Sequence, residues 1–388
     1  MGHRKVLVVG GGIAGMSFAR AACRRGIEVH VIELEPKVVG VGIFLSGNTL
    51  RALDDIDVAH ACVREGWPIA SLRLVDTDGK IVEEKPMPQI AGDDLPRAAA
   101  IPRRTLARIL QDSAQEVGAK VRIGLTVNEI YEETNGATVV LSNGAREQYD
   151  VVVGADGIYS KVRTCLFGEQ FKPAHMGQGG WRFMTPRHPR VDTQFMVVTA
   201  DRKVGFIPLD QDWMYVLATV KDPQKAWVDL ARTPALFREV LAPVSTPLVQ
   251  EMCSRLDEAD PATVMWRPFE TFFMERSWHK GHVVLIGDAV HSMTPHLTSG
   301  GGMAIEDSVV LARWLSADCS VSEALDRFFR QRYERVRKIQ MLSSEICREE
   351  ISGSPSRDRI YELTMRGYNA LAAPFLEESD RTIGLVPH

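Results

Sequence analysis

Apolar residues change rhythm several times along this chain, and each change marks a new element. Val6–Val9 is a continuous apolar run, an alanine-rich stretch with helical character follows, and Val29–Leu34 is apolar again. Unbroken runs of this length fit buried strands, so the opening predicts strand, turn, helix, strand. Leu72–Asp76 and Lys80–Glu84 flank Thr77-Asp78-Gly79, a hairpin signal. Leu106, Ile109, Leu110, Ala114 and Val117 share one stripe at helical spacing, which predicts a helix over Thr105–Gly118. Short strands are expected at Lys120–Ile123, Val127–Thr134, Ala137–Leu141 and Gln148–Val153, with Asn143-Gly144 as a hairpin turn. Period-two alternation then governs Gly180–Met184, Thr193–Thr199, Val204–Pro208 and Trp213–Val220, predicting an antiparallel sheet with one buried face. Helices are expected at Leu230–Ala242, Pro247–Leu256, Met303–Leu315, Arg327–Glu350 and Ile360–Leu371, and a buried strand at Gly281–Ile286.

Three glycine-and-acid elements interrupt this pattern. Gly10, Gly12 and Gly15 lie between the first strand and helix, where small residues let a backbone approach a pyrophosphate and the helix N-terminus faces its charge. Glu33 ends the second strand, where a carboxylate binds a ribose hydroxyl. Val151–Val153 runs into Gly154-Ala155-Asp156-Gly157, which puts Asp156 at the C-terminal edge of a strand, the ligand-binding edge of open α/β sheets. The third element is Gly287-Asp288, followed by Pro295 and Gly300, Gly301 and Gly302 before a helix. Arg103 and Arg104 open the helix expected after them, where a cation opposes the helix dipole unless an anion shares the site.

Composition narrows the classes. The 388 residues are 45% hydrophobic and 25% charged, with a formal net charge of −4, which gives no reason to expect nucleic acid or an anionic membrane as partner. No apolar run reaches the roughly 18 residues of a spanning helix, so no membrane insertion is expected. Six scattered cysteines without metal-ligand spacing read as reduced thiols of a cytoplasmic protein, and no metal site is expected.

The motifs GGGIAG (10–15), DGIYSKVR (156–163) and GDAVHSMTP (287–295), with Arg103–Leu106 as a weaker match, resemble those of the class A flavoprotein monooxygenases of the para-hydroxybenzoate hydroxylase fold. Within that family the chain is most similar to the branch of salicylate, 3-hydroxybenzoate and 6-hydroxynicotinate hydroxylases. The resemblance implies an α/β fold: a Rossmann-like FAD-binding domain with an inserted, mostly antiparallel β-sheet substrate domain and a C-terminal helical region. Its implied boundaries are 1–72, 97–172 and 271–340 for the discontinuous FAD-binding domain, 73–96 and 173–270 for the substrate domain, and 341–388 for the helical region.

By position, the resemblance gives Gly10, Gly12, Ala14 and Gly15 to the FAD pyrophosphate, Glu33 to the adenosine ribose, and Leu125 or Val127 to the adenine. Arg103, Gly287 and Asp288 would contact the cofactor, Asp156 and Arg163 would serve FAD or NAD(P)H, and Pro295 with Gly300, Gly301, Gly302 and Met303 would line the isoalloxazine ring. Trp181, Phe206, Pro208 and Tyr215 are expected walls of a substrate pocket. His296 and Tyr215 are its candidate catalytic groups. The implied activity uses NADH or NADPH and O2 to hydroxylate a small aromatic or N-heteroaromatic substrate through a C4a-hydroperoxyflavin, in a monomer or homodimer. The same framework also carries epoxidation or Baeyer–Villiger oxidation of larger natural products and antibiotics, or a flavin-binding module without turnover.

Overall fold

A computed structural model describes residues 4–35, 40–199, 202–225 and 227–376. Residues 377–388 of the expected C-terminal region lie outside the described residues, as do 1–3 and 36–39 of the first segment. The two opening apolar runs become parallel strands, Lys5–Val9 and Glu28–Glu33, joined by the helix Ile13–Cys23. Their sheet has six strands in the order His279–Lys280, Val283–Leu285, Val151–Gly154, Lys5–Val9, Glu28–Glu33, Lys120–Ile123. All pairings are parallel except the first. Val6–Val9 and Val151–Val153 are buried on both faces, which is why they read as unbroken apolar runs.

The expected strand Gln148–Val153 divides in two. Arg146–Tyr149 pairs with Gly136–Leu141 in a separate three-stranded sheet, while Val151–Gly154 enters the parallel sheet. Asp150 is the joint: its carboxylate accepts the Lys5 amide (2.6 Å), and its own amide donates to the Lys5 carbonyl oxygen (2.9 Å). Polarity alone does not show that consecutive runs serve two sheets.

A second sheet of seven strands runs Val264–Thr271, Ala174–Pro186, Trp213–Lys221, Lys203–Pro208, Gln194–Val198, Ser71–Val75, Ile81–Pro86. It is antiparallel except where Gln194–Val198 meets Ser71–Val75. On one face Trp181, Phe183, Phe206, Met214 and Val216 pack under the helices Thr233–Leu241 and Pro247–Asp257. Because side chains alternate along a strand, Arg182, Met184, Ile207, Tyr215 and Leu217 take the opposite face. There Ile207 and Tyr215 meet Val41, Phe44 and Ile69 of the first segment.

This division corrects three expected pocket walls. Trp181 stacks on Phe237 with ring centroids 5.6 Å apart, and Phe206 is 1% exposed in the same helix-covered core. Pro208 lies opposite Met214 and so shares that face. Tyr215 alone of the four stands on the other side.

The C-terminal half adds the helix Gly300–Ser316, the long helix Val321–Ile351 packed along it, and Arg357–Ala372. No helix among the described residues is long and apolar enough to cross a membrane. Replacing Trp181 by alanine removes a stacked ring from the helix-covered core and is expected to cost about 3–5 kcal/mol of stability. Denaturant unfolding measures this, and cofactor affinity in the folded variant should stay within about threefold, less than 1 kcal/mol.

Candidate active site

Two helix N-termini open side by side. The first helix makes its first internal bond from Met16 N to Gly12 O (3.0 Å), leaving the amides of Ile13, Ala14 and Gly15 without an intrahelical partner. In the helix Gly300–Ser316 the first bond runs from Met303 N to Ser299 O (2.8 Å), leaving those of Gly300, Gly301 and Gly302. Neither terminus has a side-chain cap or an acid in its first turn, so both present uncompensated positive ends. The two helices approach closely because small residues line their contact. A Cβ on Gly287 would stand 3.1 Å from both Ala14 Cβ and Ala304 Cβ, and Ser308 Oγ donates to Ala14 O (2.9 Å).

The glycine turn and the start of the helix after it permit no side chain at one position each. Gly10 has φ +108°, and a Cβ there would overlap the Ala155 carbonyl oxygen of the neighbouring strand; a Cβ on Gly15 would overlap the Gly10 oxygen. Gly12 differs: its Cβ position meets nothing within 4 Å. Glu33 accepts the Gly11 amide on one oxygen (2.6 Å) and the Glu35 amide on the other (3.0 Å), which leaves acceptor capacity on each. Leu125 lies beside it, its amide donating to the Glu33 carbonyl oxygen (3.1 Å).

A buried ionic network fixes the second N-terminus. Asp307 Oδ2 accepts the Gly287 amide (3.0 Å) and His291 Nε2 (2.5 Å), and its Oδ1 accepts Arg332 Nε (2.8 Å). Glu306 accepts from Arg332 (2.7 Å) and from Arg335 (2.7 and 2.9 Å). Desolvation would raise both carboxyls. Arg332 and Arg335 beside Glu306, and His291 and Arg332 beside Asp307, overcome it and hold both below the usual range.

Several expected ligand groups are committed to this scaffold. The Asp156 carboxylate accepts from Ser160 Oγ (2.5 Å) and from the amides of Lys161 (2.7 Å) and Val162 (3.0 Å), capping the helix Lys161–Phe167. Arg163 donates to the carbonyl oxygens of Phe171, Ala289 and Ile158 and is 2% exposed, so it braces the Gly287-Asp288 turn and has no face for a nucleotide. His296 Nε2 contacts Gln178 Oε1 (2.9 Å) and Glu350 Oε2 (3.2 Å), and its side chain is 2% exposed with Nδ1 sealed from solvent. That ring ties the Pro295 turn to the long helix, and it presents no nitrogen to a substrate. Val127 and Met303 are fully buried, Met303 against Arg332, so Leu125 is the one of its pair left for an adenine.

What remains is a set of polar groups that bond nothing among the described residues: Asp288, Arg103, Arg182 and the Tyr215 hydroxyl. Asp288 is exposed, yet desolvation raises its carboxyl, with His291 and Arg103 opposing the rise. Burial pushes the Tyr215 hydroxyl up to about 12, and burial lowers the half-buried Arg182 guanidinium despite Tyr215. Surface contact combined with strong desolvation describes the wall of a deep cleft. A Cβ on Gly40 would touch Arg103 Cδ (2.6 Å), and one on Gly42 would touch Tyr215 Cδ1 (2.9 Å), so the segment 40–42 joins the cofactor side to the second sheet. Tyr368 reaches the same apolar cluster from the C-terminal helix. Sequence reasoning missed Arg182 and Tyr368. Arg182 was legible only as the polar position of an alternating strand, and Tyr368 lies in a stretch that stood out only as helical. A cavity of about 440 Å³ lined by Trp181, Arg202, Val220, Leu236 and Glu239 involves the helix-covered side and carries none of these groups.

Residues 3–343 match the model of the FAD binding domain family. A Bacillus subtilis protein described as a putative FAD-dependent monooxygenase, YetM, is 30% identical over 94% of this chain and 100% of its own. The chain belongs to the FAD-dependent monooxygenases. The 2-heptyl-3-hydroxy-4(1H)-quinolone synthase of Pseudomonas aeruginosa is 31% identical over 87% of each chain. In fold, Klebsiella pneumoniae HpxO, solved with FAD and uric acid, superposes with a TM-score of 0.81 at 24% identity, over 96% of this chain and 93% of that one. The donor set of this monooxygenase fits FAD: two open helix N-termini, a glycine turn without side chains, and an acid with spare acceptor capacity.

Gly12→Ala adds a methyl that meets no protein atom, so the folded variant should unfold as the parent does without cofactor. Its FAD affinity should fall at least tenfold, about 1.4 kcal/mol, as read by flavin fluorescence titration. Arg332→Met leaves two buried carboxylates short of a partner and is expected to cost about 3–5 kcal/mol in urea unfolding at neutral pH. In the parent, Glu306 and Asp307 have folded-state values below their unfolded ones. Their contribution is therefore full above the ordinary carboxyl range, starts to fall near a pH of about 4 and is lost progressively below it, as pH drops toward the depressed folded-state values. Unfolding midpoints measured from pH 7 downward should show that decline.

Proposed function

We propose that this protein uses NAD(P)H and O2 to hydroxylate a small aromatic or N-heteroaromatic compound bound between the two helix N-termini and the second sheet. The reading balances as ring–H + O2 + NAD(P)H + H⁺ giving ring–OH + H2O + NAD(P)⁺. Bound FAD supplies the oxygen-activating chemistry. The amides of Ile13, Ala14 and Gly15 would hold its pyrophosphate, Glu33 its ribose, and the amides of Gly300, Gly301 and Gly302 would stabilise negative charge on its ring.

The observation that carries the reading is the cleft's wall. Met184, Ile207 and Leu217 give it an apolar stretch, on which Arg182 and the Tyr215 hydroxyl place polar groups. Such a wall excludes water and favours a flat, largely apolar ring oriented by few hydrogen bonds. The likeness to the quinolone synthase supports a nitrogen-containing aromatic among the substrates.

The purified protein should be yellow or become so with added FAD. It should then consume O2 with NADH or NADPH in the presence of a hydroxylated benzoate, pyridine or quinolone, giving a product one oxygen heavier by mass. Flavin uptake without oxidation of either nicotinamide across such a panel would reject the oxygenase reading in favour of a binding module.

A further inference from the structure

We propose that Glu350, near the end of the long helix, is the positioning residue that locks the helix start at Gly300 against the cleft-bearing face of the second sheet. The inference rests on the reading that the flavin ring meets that start, and it adds what holds the start in place.

Glu350 lies where three elements meet, and its side chain is 9% exposed. Its Oε1 accepts from Lys203 Nζ of the strand Lys203–Pro208. Its Oε2 accepts from Gln178 Nε2 of the strand Ala174–Pro186 (3.0 Å) and from His296 Nε2 of the Pro295 turn (3.2 Å). Gln178 Oε1 faces the same His296 nitrogen (2.9 Å). That nitrogen meets two acceptors and so carries the proton, while Nδ1 is sealed from solvent without a partner. The ring is therefore neutral, as its burial favours, and the charges that balance in this cluster are Glu350 and Lys203.

Both sheet arms stand on the face that carries the cleft. Lys203 is four residues from Ile207 and Gln178 four from Arg182, and strand residues an even number apart share a face. At about 3.3 Å per residue, the joint sits roughly 13 Å from the apolar stretch along the same two strands. Phe269 lies beside it: its ring is 2.8 Å from where a Cβ on Gly180 would stand, and it meets the His296 ring edge-on at 5.8 Å. Four residues after His296 the helix Gly300–Ser316 begins. A slip of the turn would leave a buried carboxylate and a buried N–H short of partners, so the joint holds the helix start at one distance from the sheet.

The test measures the midpoint potential of the FAD-loaded protein together with its FAD affinity. Helix-start amides favour the extra negative charge of a reduced ring. Glu350→Met removes both acceptor oxygens while Ser343 still holds the Thr294 carbonyl oxygen (2.7 Å), so the chain should fold. Reduced FAD should then lose at least tenfold of its preference over oxidised FAD, a fall of about 30 mV. Affinity for oxidised FAD should stay within about threefold, less than 1 kcal/mol, because its pyrophosphate is held at the first helix. Glu350→Gln keeps an oxygen for His296 and should restore at least half of the lost potential. His296→Leu opens the joint from the turn and should give the same fall, with no further fall in the double variant. Lys221→Met frees the same helix end from the sheet, at Ser352 O (3.1 Å), without reaching His296, and should leave the potential unchanged. Unchanged potentials, additive falls in the double variant, or an equal fall in Lys221→Met would overturn the proposal. These measurements need no turnover, so a protein with the expected potentials that consumes no O2 would sink the oxygenase reading and leave this one standing.

Discussion

Two neighbouring acids, Glu306 and Asp307, carry the arrangement on which the site depends. Both are 0% exposed, on a helix whose glycine-rich start faces the cleft. Two adjacent carboxylates in such surroundings are untenable without cations, and Arg332 and Arg335 of the long helix provide them. The same carboxylates reach outward, Asp307 to the Gly287 amide and His291, and Glu306 to Asn48 (3.5 Å). One network thereby fixes the long helix, the Gly287-Asp288 turn and the segment around Asn48 relative to one another. A buried pair of this kind is weak evidence for stability. Its value here is positional, since any slip of the helix would separate charges that have no other partner.

The two open helix starts are built by one device. A glycine-led helix start without a cap offers amides to negative charge, first at Gly12 and again at Gly300. The two starts lie side by side because Gly287, Ala14, Ala304 and Ser308 allow the helices to touch. Thr298, just before the second start, has φ +51°, in the left-handed region where a β-branched residue is strained. Its neighbours hold it there: the Thr298 amide bonds Pro295 O (3.0 Å), and Ser299 Oγ donates to Leu297 O (2.5 Å).

The fold was legible where local pattern and burial coincide. Val6–Val9, the helix Ile13–Cys23 and Glu28–Glu33 follow directly from apolar runs around glycines. The alternating strands of the second sheet were visible too, but which face meets which neighbour was not. That is why Trp181, Phe206 and Pro208 were expected on the cleft and Arg182 was overlooked. Alternation fixes that two faces differ, whereas only the docking of the helices Thr233–Leu241 and Pro247–Asp257 decides which is covered.

The motif residues divide in a way that motif spacing does not reveal. Asp156 and Arg163 have their hydrogen bonds filled by the protein itself, and His296 spends its Nε2 on Gln178 and Glu350, so their place in a glycine-rich motif reflects the shape of turns. The side chains of Asp288, Arg103 and Arg182 and the Tyr215 hydroxyl bond nothing among the described residues, and a partly desolvated polar group without a partner is costly. A chain keeps such groups only where something else supplies the missing bonds. Unfilled bonding capacity therefore separates ligand-facing residues from scaffold better than motif membership does. By that measure the cleft offers one acid and one cation on the cofactor side, and a second cation with a hydroxyl on the sheet side.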